Sequence, residues 1–165
     1  MFAQYGMCYE DEVTYTAYVT DSLVSVLFDC YSYYGGAHPN TGMVAYNFDL
    51  EHGSFLPPAA IAENAAEFQA AVAEELVRQA RSAAEEKSQP LEGLYWDDYP
   101  DILADWTSYT VSFDKAGMTV TFAPYELGCY AAGTHSFTVS YAFLQPYLSE
   151  YGCRLLQLEA PEAAS

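Results

Sequence analysis

Residues 107–122 read TSYTVSFDKAGMTVTF, and this stretch decides the fold. Thr107, Tyr109, Val111 and Phe113 alternate with Ser108, Thr110 and Ser112. Asp114-Lys115-Ala116-Gly117 supplies a turn into Met118, Val120 and Phe122. A period of two with a Gly-bearing turn is the signature of a β-hairpin with one apolar and one hydroxyl face. Working outward, Phe137, Val139 and Tyr141 repeat the alternation and lead into a short helix over 141–151. Toward the start of the chain, Val13, Tyr15, Ala17 and Val19 alternate with threonines and predict a half-buried strand ending at Asp21-Ser22. Leu23 to Tyr34 is apolar on nearly both faces, which suits a central strand. Val44, Tyr46, Phe48 and Leu50 resume the alternation before the turn residues Glu51-His52-Gly53.

Between these strands the period changes. Ile61, Ala65, Phe68, Val72, Leu76 and Ala80 recur every three or four residues, the stripe of an amphipathic helix. Asn64 followed by Glu67 resembles a capping box, which places the helix start near Ala65. Glu74 with Arg78 and Arg81 with Glu85 are i,i+4 pairs for its solvent face. Ser88-Gln89-Pro90 ends the helix, and 91–105 reads as an acidic, aromatic connector. The tail from Glu159 to Ser165 reads as frayed. Strands flanking a helical segment predict an α+β fold. We expect an antiparallel sheet with one long helix and a short C-terminal helix packed on one face, in a single domain spanning 1–165.

The chain carries 23 Asp and Glu against five Lys and Arg, a formal net charge of −18 over 165 residues. Lys87, Lys115, Arg78, Arg81 and Arg154 are too few and too scattered to follow a phosphate backbone, which excludes nucleic acid as a partner. A hydrophobic content of 52% with 16 Tyr and 9 Phe excludes an acidic disordered tail. The acidity is compatible with simple solubility or with a cationic partner whose encounter it would accelerate. No apolar run is long enough to cross a membrane, and the opening residues show no export signal. Cys8, Cys30, Cys129 and Cys153 are spaced too widely for a zinc ribbon or a CxxC pair. They permit two disulfides of unknown connectivity or four free thiols.

Motifs for common catalysis are missing: no GxSxG, HExxH, Walker A or GxGxxG occurs, and no metal set or cofactor is expected. Carboxylate pairs are uninformative in so acidic a chain. Asp97, Asp98 and Asp101 lack the glycine-punctuated loop of an EF-hand and read as a solvated loop. Two segments have unusual composition for simple connections. In 33–40, Gly35 and Gly36 allow positive φ at a strand end, while His38 and Asn40 offer hydrogen-bonding groups beside Tyr34. In 122–133, a strand ends at Pro124, and Tyr125, Glu126, Tyr130 and Gly133 lie in a loop of small residues. These side chains are candidate binding residues; the bland account is that the two loops brace one another.

Together these segments carry a resemblance. Gly35 through Asn40, Asn47-Phe48-Asp49-Leu50 with Gly53, Trp106 through Gly117, and Phe122 through Gly128 ending in Tyr130-Ala131-Ala132-Gly133 resemble the RsiV-type C-terminal domain over about residues 23–147. The resemblance implies an extracytoplasmic protein of the bacterial cell envelope, secreted or anchored through a segment outside this chain. Similar domains form the outer part of RsiV-like anti-sigma factors, which bind lysozyme, and accompany PdaC-type peptidoglycan deacetylases. An exported location would also favour paired cysteines. The chain carries no sigma-binding segment and no deacetylase domain. The expected role is therefore noncatalytic capture of a basic protein such as lysozyme. The alternative is a glycan- or peptidoglycan-binding module in which Tyr34, His38, Tyr125 and Tyr130 contact sugars, and a hydrolase using His38 or His135 is third.

Overall fold

The computed structural model describes residues 9–159. Its first sheet is an antiparallel meander of four strands, β1 (Glu10–Val19), β2 (Leu23–Tyr33), β3 (Asn40–Asp49) and β4 (Ser54–Phe55), in sequential order. A 3-10 turn then leads into the long helix α1 (Ala65–Glu86). The Asn64 side chain caps it, accepting from the N–H groups of Ala66 and Glu67 at 3.1 and 3.3 Å. The region expected to be a bare connector contains the short helix α2 (Tyr99–Ala104) and buries Tyr95, Tyr99 and, just beyond, Trp106. Trp106 donates its indole N–H to the Gln69 carbonyl at 3.1 Å, so the aromatics expected to decorate a loop pin it to α1.

The second sheet is formed by β5 (Thr110–Phe113), β6 (Gly117–Phe122) and β7 (His135–Ser140), again antiparallel. The expected C-terminal helix is split into α3 (Tyr141–Leu144) and α4 (Glu150–Leu155), because Pro146 and Ser149 interrupt it. The class is thus α+β with antiparallel sheets, a long helix and a short C-terminal helix, but the strands divide into two sheets instead of one.

Cross-strand register explains the core. Val111, Val120 and Phe137 lie side by side, as do Phe113, Met118 and Val139, with Phe122 beside His135. All of these are buried, joining Phe68, Val72, Leu76 and Ala80 of α1 in one apolar core. The opposite face carries Ser112, Thr119 and Thr138 in one row and Thr110, Thr121 and Ser136 in another. Thr119 bonds Thr138 and Thr121 bonds Ser136 through their hydroxyls. The paired charges on α1 are also corrected: Arg78 holds Glu75, three residues away, at 2.7 Å.

The expected half-burial of β1 is not met: nearly the whole strand is exposed on both faces. Val13, Tyr15 and Val19 are 62%, 69% and 62% exposed, whereas Tyr18 on the other face packs on the core. The reason lies in what the inner face must meet. Buried Asn47 donates to the Val111 carbonyl at 2.8 Å, and buried Ser25 accepts from the Phe113 N–H at 2.9 Å. Thr110 donates to the Met43 carbonyl at 2.7 Å. Polar side chains of β2 and β3 therefore satisfy the outer edge of β5, whose backbone groups would be costly to bury unpaired. That polar face turns inward, and the apolar face is left outside.

Candidate functional site

Both unusual loops meet. The β2–β3 hairpin reverses through Gly35 and Gly36 at φ of 89° and 124°, a region costly for side-chain-bearing residues. Tyr33 donates its phenol to the Gly36 carbonyl at 3.1 Å and secures the reversal. This presents His38 to the loop that follows β6. His38 Nδ1 lies 2.8 Å from the Pro39 carbonyl, and its Nε2 lies 3.2 Å from the Tyr125 hydroxyl. A carbonyl can only accept, so Nδ1 donates to it, which leaves Nε2 to face the Tyr125 hydroxyl. The imidazole also stacks on Tyr130 with centroids 3.8 Å apart and planes at 21°, and Tyr125 and Tyr130 lie 5.7 Å apart.

Tyr125 is held in a conformation unusual for a side-chain-bearing residue, with φ of 76°. Its N–H donates to the Gly128 carbonyl at 3.1 Å, and its own carbonyl accepts from the Trp96 indole at 3.3 Å. Glu126 turns back on its own loop, its carboxylate accepting from the Ala123 N–H at 2.6 Å. A side chain at Gly128 would place its Cβ 2.2 Å from the Leu94 carbonyl oxygen, so the loop lies directly on the connector backbone. The strain at Tyr125 is thus over-determined by its surroundings, and the ring stands 55% exposed.

The predicted residues separate into two groups. His38, Tyr125 and Tyr130 come together as an aromatic cluster in which Tyr125 is exposed and the other two are half-buried. Tyr34 points elsewhere: its phenol bonds the Asp11 carboxylate, which raises the phenol's pKa, and its ring lies 5.9 Å from Tyr9. Asn40 is exposed at the start of β3. Gly133, at φ of 77°, reverses the chain into β7. No disulfide joins Cys30, Cys129 and Cys153 to one another: the first is half-buried on β2, the second exposed, and the third buried in α4. Cys8 lies outside the described residues.

One constellation escaped the sequence reading. Asp49, buried at the end of β3, accepts on Oδ2 from His52 Nδ1 and the Tyr151 phenol, both at 2.5 Å, and on Oδ1 from the N–H groups of Glu51 and His52. Burial raises its pKa, but the hydrogen bonds from Tyr151, His52 and the backbone outweigh it and hold the carboxyl at about 2. With all its donors spent on a turn and on α4, this carboxylate serves as a clasp. The clue in the sequence was the Asp49-x-x-His52 spacing of an Asx turn. His135, the other histidine proposed for hydrolysis, is buried beside Tyr95 with ring centroids 4.9 Å apart, and burial lowers its pKa. Among the described residues, no group of three His, Cys, Asp or Glu converges as a metal set would.

Fold and site together define a small two-sheet α+β domain that displays an aromatic cluster braced by strained loops. Residues 59–142 match the family described as "Protein of unknown function (DUF3298)", and the chain belongs to that family. The match runs from the turn before α1 to the start of α3. Two solved structures share the fold. A DUF3298 family protein from Pseudomonas aeruginosa PAO1 is 17% identical with a TM-score of 0.57, over 87% of this chain and 64% of that one. A member of the same family from Bacteroides fragilis NCTC 9343 is 18% identical with a TM-score of 0.64, over 89% of this chain and 56% of that one. The chain thus spans less than two thirds of the length of these two relatives. No curated protein matches.

Proposed function

We propose that this chain is a noncatalytic extracytoplasmic binding or sensing domain of the bacterial cell envelope, of the RsiV type, that captures a basic protein such as lysozyme. The observation that carries the reading is the cluster of His38, Tyr125 and Tyr130 in a chain with a net charge of −18. The exposed Tyr125 phenol on a braced loop gives rigid apolar area with a hydrogen-bonding tip, a chemistry suited to protein contacts. The surrounding negative field steers a cationic partner toward them and adds more to the association rate than to final affinity. No helix among the described residues is long and apolar enough to cross a membrane. Calorimetric titration with hen lysozyme tests the proposal. Binding at low salt that weakens steeply with added salt, and is reduced by Tyr125→Ala, supports it; no heat at low salt rejects it.

A second reading, glycan or peptidoglycan binding, is favoured by a different feature. Between the two sheets lies a groove of about 440 Å³ whose lining includes the hydroxyls of Thr16, Ser25, Ser112, Thr119 and Ser136 beside Leu27, Asp114 and Lys115. Such hydroxyls suit a neutral polyol. Muropeptide binding that is insensitive to salt, with no heat from lysozyme at low salt, would establish this reading over the first.

A further inference from the structure

Beyond a polar row of Asp11, Ser32 and Asn40 at one end, the outer face of the first sheet is apolar. In register, Val13, Cys30 and Gly42 form one row, Tyr15, Phe28 and Val44 the next, and Ala17, Val26 and Tyr46 a third. Val19, Val24, Phe48 and Phe55 complete it. No charged side chain interrupts these rows. Rings cross them as a ladder: Tyr15 lies 6.1 Å from Phe28, Phe28 6.1 Å from Tyr46, and Tyr46 6.0 Å from Phe55. Tyr15, Tyr46 and Phe55 are 69%, 46% and 62% exposed, so no described residue covers the face. At roughly 150–250 Å² per aromatic side chain, the exposed rings and valines offer on the order of 600 Å². That exceeds the scattered apolar exposure of ordinary surfaces and approaches the ~800 Å² each partner contributes to a standard interface.

The same sheet ends on an open edge. β1 is ten residues long, stands outermost in the strand order and contains no proline, and among the described residues no strand pairs with its outer side. Its other face begins with Glu10 and Glu12. Glu12 lines a cavity of about 270 Å³ with Thr14, Asp29, Tyr31 and Thr41. A second copy of the chain would bring its own net charge of −18, which disfavours self-pairing.

The geometry points to addition of a strand at β1 by a cationic protein. The incoming segment is extended, places apolar side chains beside Val13, Tyr15 and Ala17 to continue the outer face, and places lysine or arginine on the opposite side beside Glu10 and Glu12. Main-chain hydrogen bonds to the free edge supply affinity, while the alternation of apolar and basic residues supplies selectivity. This inference rests on the reading that the partner is a cationic protein, and it adds a surface separate from the aromatic loops.

The test uses the whole chain and a labelled decapeptide alternating valine and lysine, read by fluorescence anisotropy at low salt. Binding about tenfold or more tighter than a valine–glutamate decapeptide is expected, together with new amide-exchange protection confined to β1. The exposed replacement Tyr15→Lys should weaken binding about tenfold, and Glu12→Gln should reduce both affinity and its salt dependence. Equal binding of both peptides, protection elsewhere in the chain, or indifference to Tyr15→Lys overturns the inference. So does a dimer in sedimentation that the peptide fails to dissociate. Peptide binding without lysozyme binding rejects lysozyme as the partner and leaves the edge site standing. Lysozyme binding without peptide binding does the reverse.

Discussion

The two sheets obey opposite rules. In β5–β7 the apolar face meets α1 and the hydroxyl face turns toward the first sheet across the groove, with Ser112 and Thr121 buried. In β1–β4 the polar face turns inward, where Asn47 and Ser25 hold the edge of β5, and the apolar face stands open. Alternation alone cannot distinguish these cases, since a period of two fixes which residues share a face but not which face is buried. What decides it is the neighbour. A helix demands apolar contacts; an unpaired strand edge demands hydrogen bonds. The second sheet also lies within the matched family segment, 59–142, whereas the first lies outside it.

The sharpest way to break this comparison is to truncate one ring in each sheet. Phe122→Ala empties a fully buried position and should destabilise the chain by about 3–5 kcal/mol in urea unfolding, while Tyr15→Ala should cost under about 0.5 kcal/mol. Comparable losses would mean that the outer face of the first sheet is covered in solution. Next in size is Asn47→Ala, which strands the Val111 carbonyl; a loss of about 1–3 kcal/mol is expected from the same measurement. A neutral result would show that water replaces the amide without cost.

Two pH windows should then separate the sheets. The Asp49 carboxyl titrates at about 2 in the folded chain, below its usual value near 3.8. The unfolded chain therefore takes up this proton first as pH falls. The clasp's contribution is complete above about pH 4 and is lost as pH drops toward 2, and Asp49→Asn should flatten that limb of the stability profile. His135 behaves in the opposite chemical sense but loses stability in the same direction. Burial lowers its pKa below 6.5, so the unfolded state gains the proton first and stability declines as pH falls from about 6.5. His135→Gln should remove this smaller slope in thermal melts between about pH 5 and 7. A slope that persists in the variant would assign it to another group.

Much of the second sheet was legible in the sequence. The hairpin 107–122 and the stripe Phe68, Val72, Leu76, Ala80 announce a sheet with a helix on it, and Asn64 marks where the helix begins. The short helix α2 and the burial of Tyr95, Tyr99 and Trp106 were not legible, because acidic residues between the aromatics mask a packing that depends on α1. For the site, the glycines and tyrosines flagged two loops, and His38 meets Tyr125 and Tyr130 where those loops brace one another. Sequence could not tell that Tyr34 would turn to Asp11, since that bond spans 23 residues of chain. Nor could it show Tyr151 reaching Asp49 across 102 residues.

The close approach of α4 to the turn before α1 has a consequence for tolerance to change. A side chain at Gly152 would set its Cβ 2.0 Å from the Ile61 carbonyl oxygen, the same oxygen that accepts from the Ser149 N–H and hydroxyl at 3.0 and 3.1 Å. One backbone oxygen thus takes two of the bonds that fix the start of α4, beside the Tyr151–Asp49 clasp. Variation there is restricted to glycine for want of space, so a library of random replacements at 152 should be depleted of folded members even where the new residue is a good helix former.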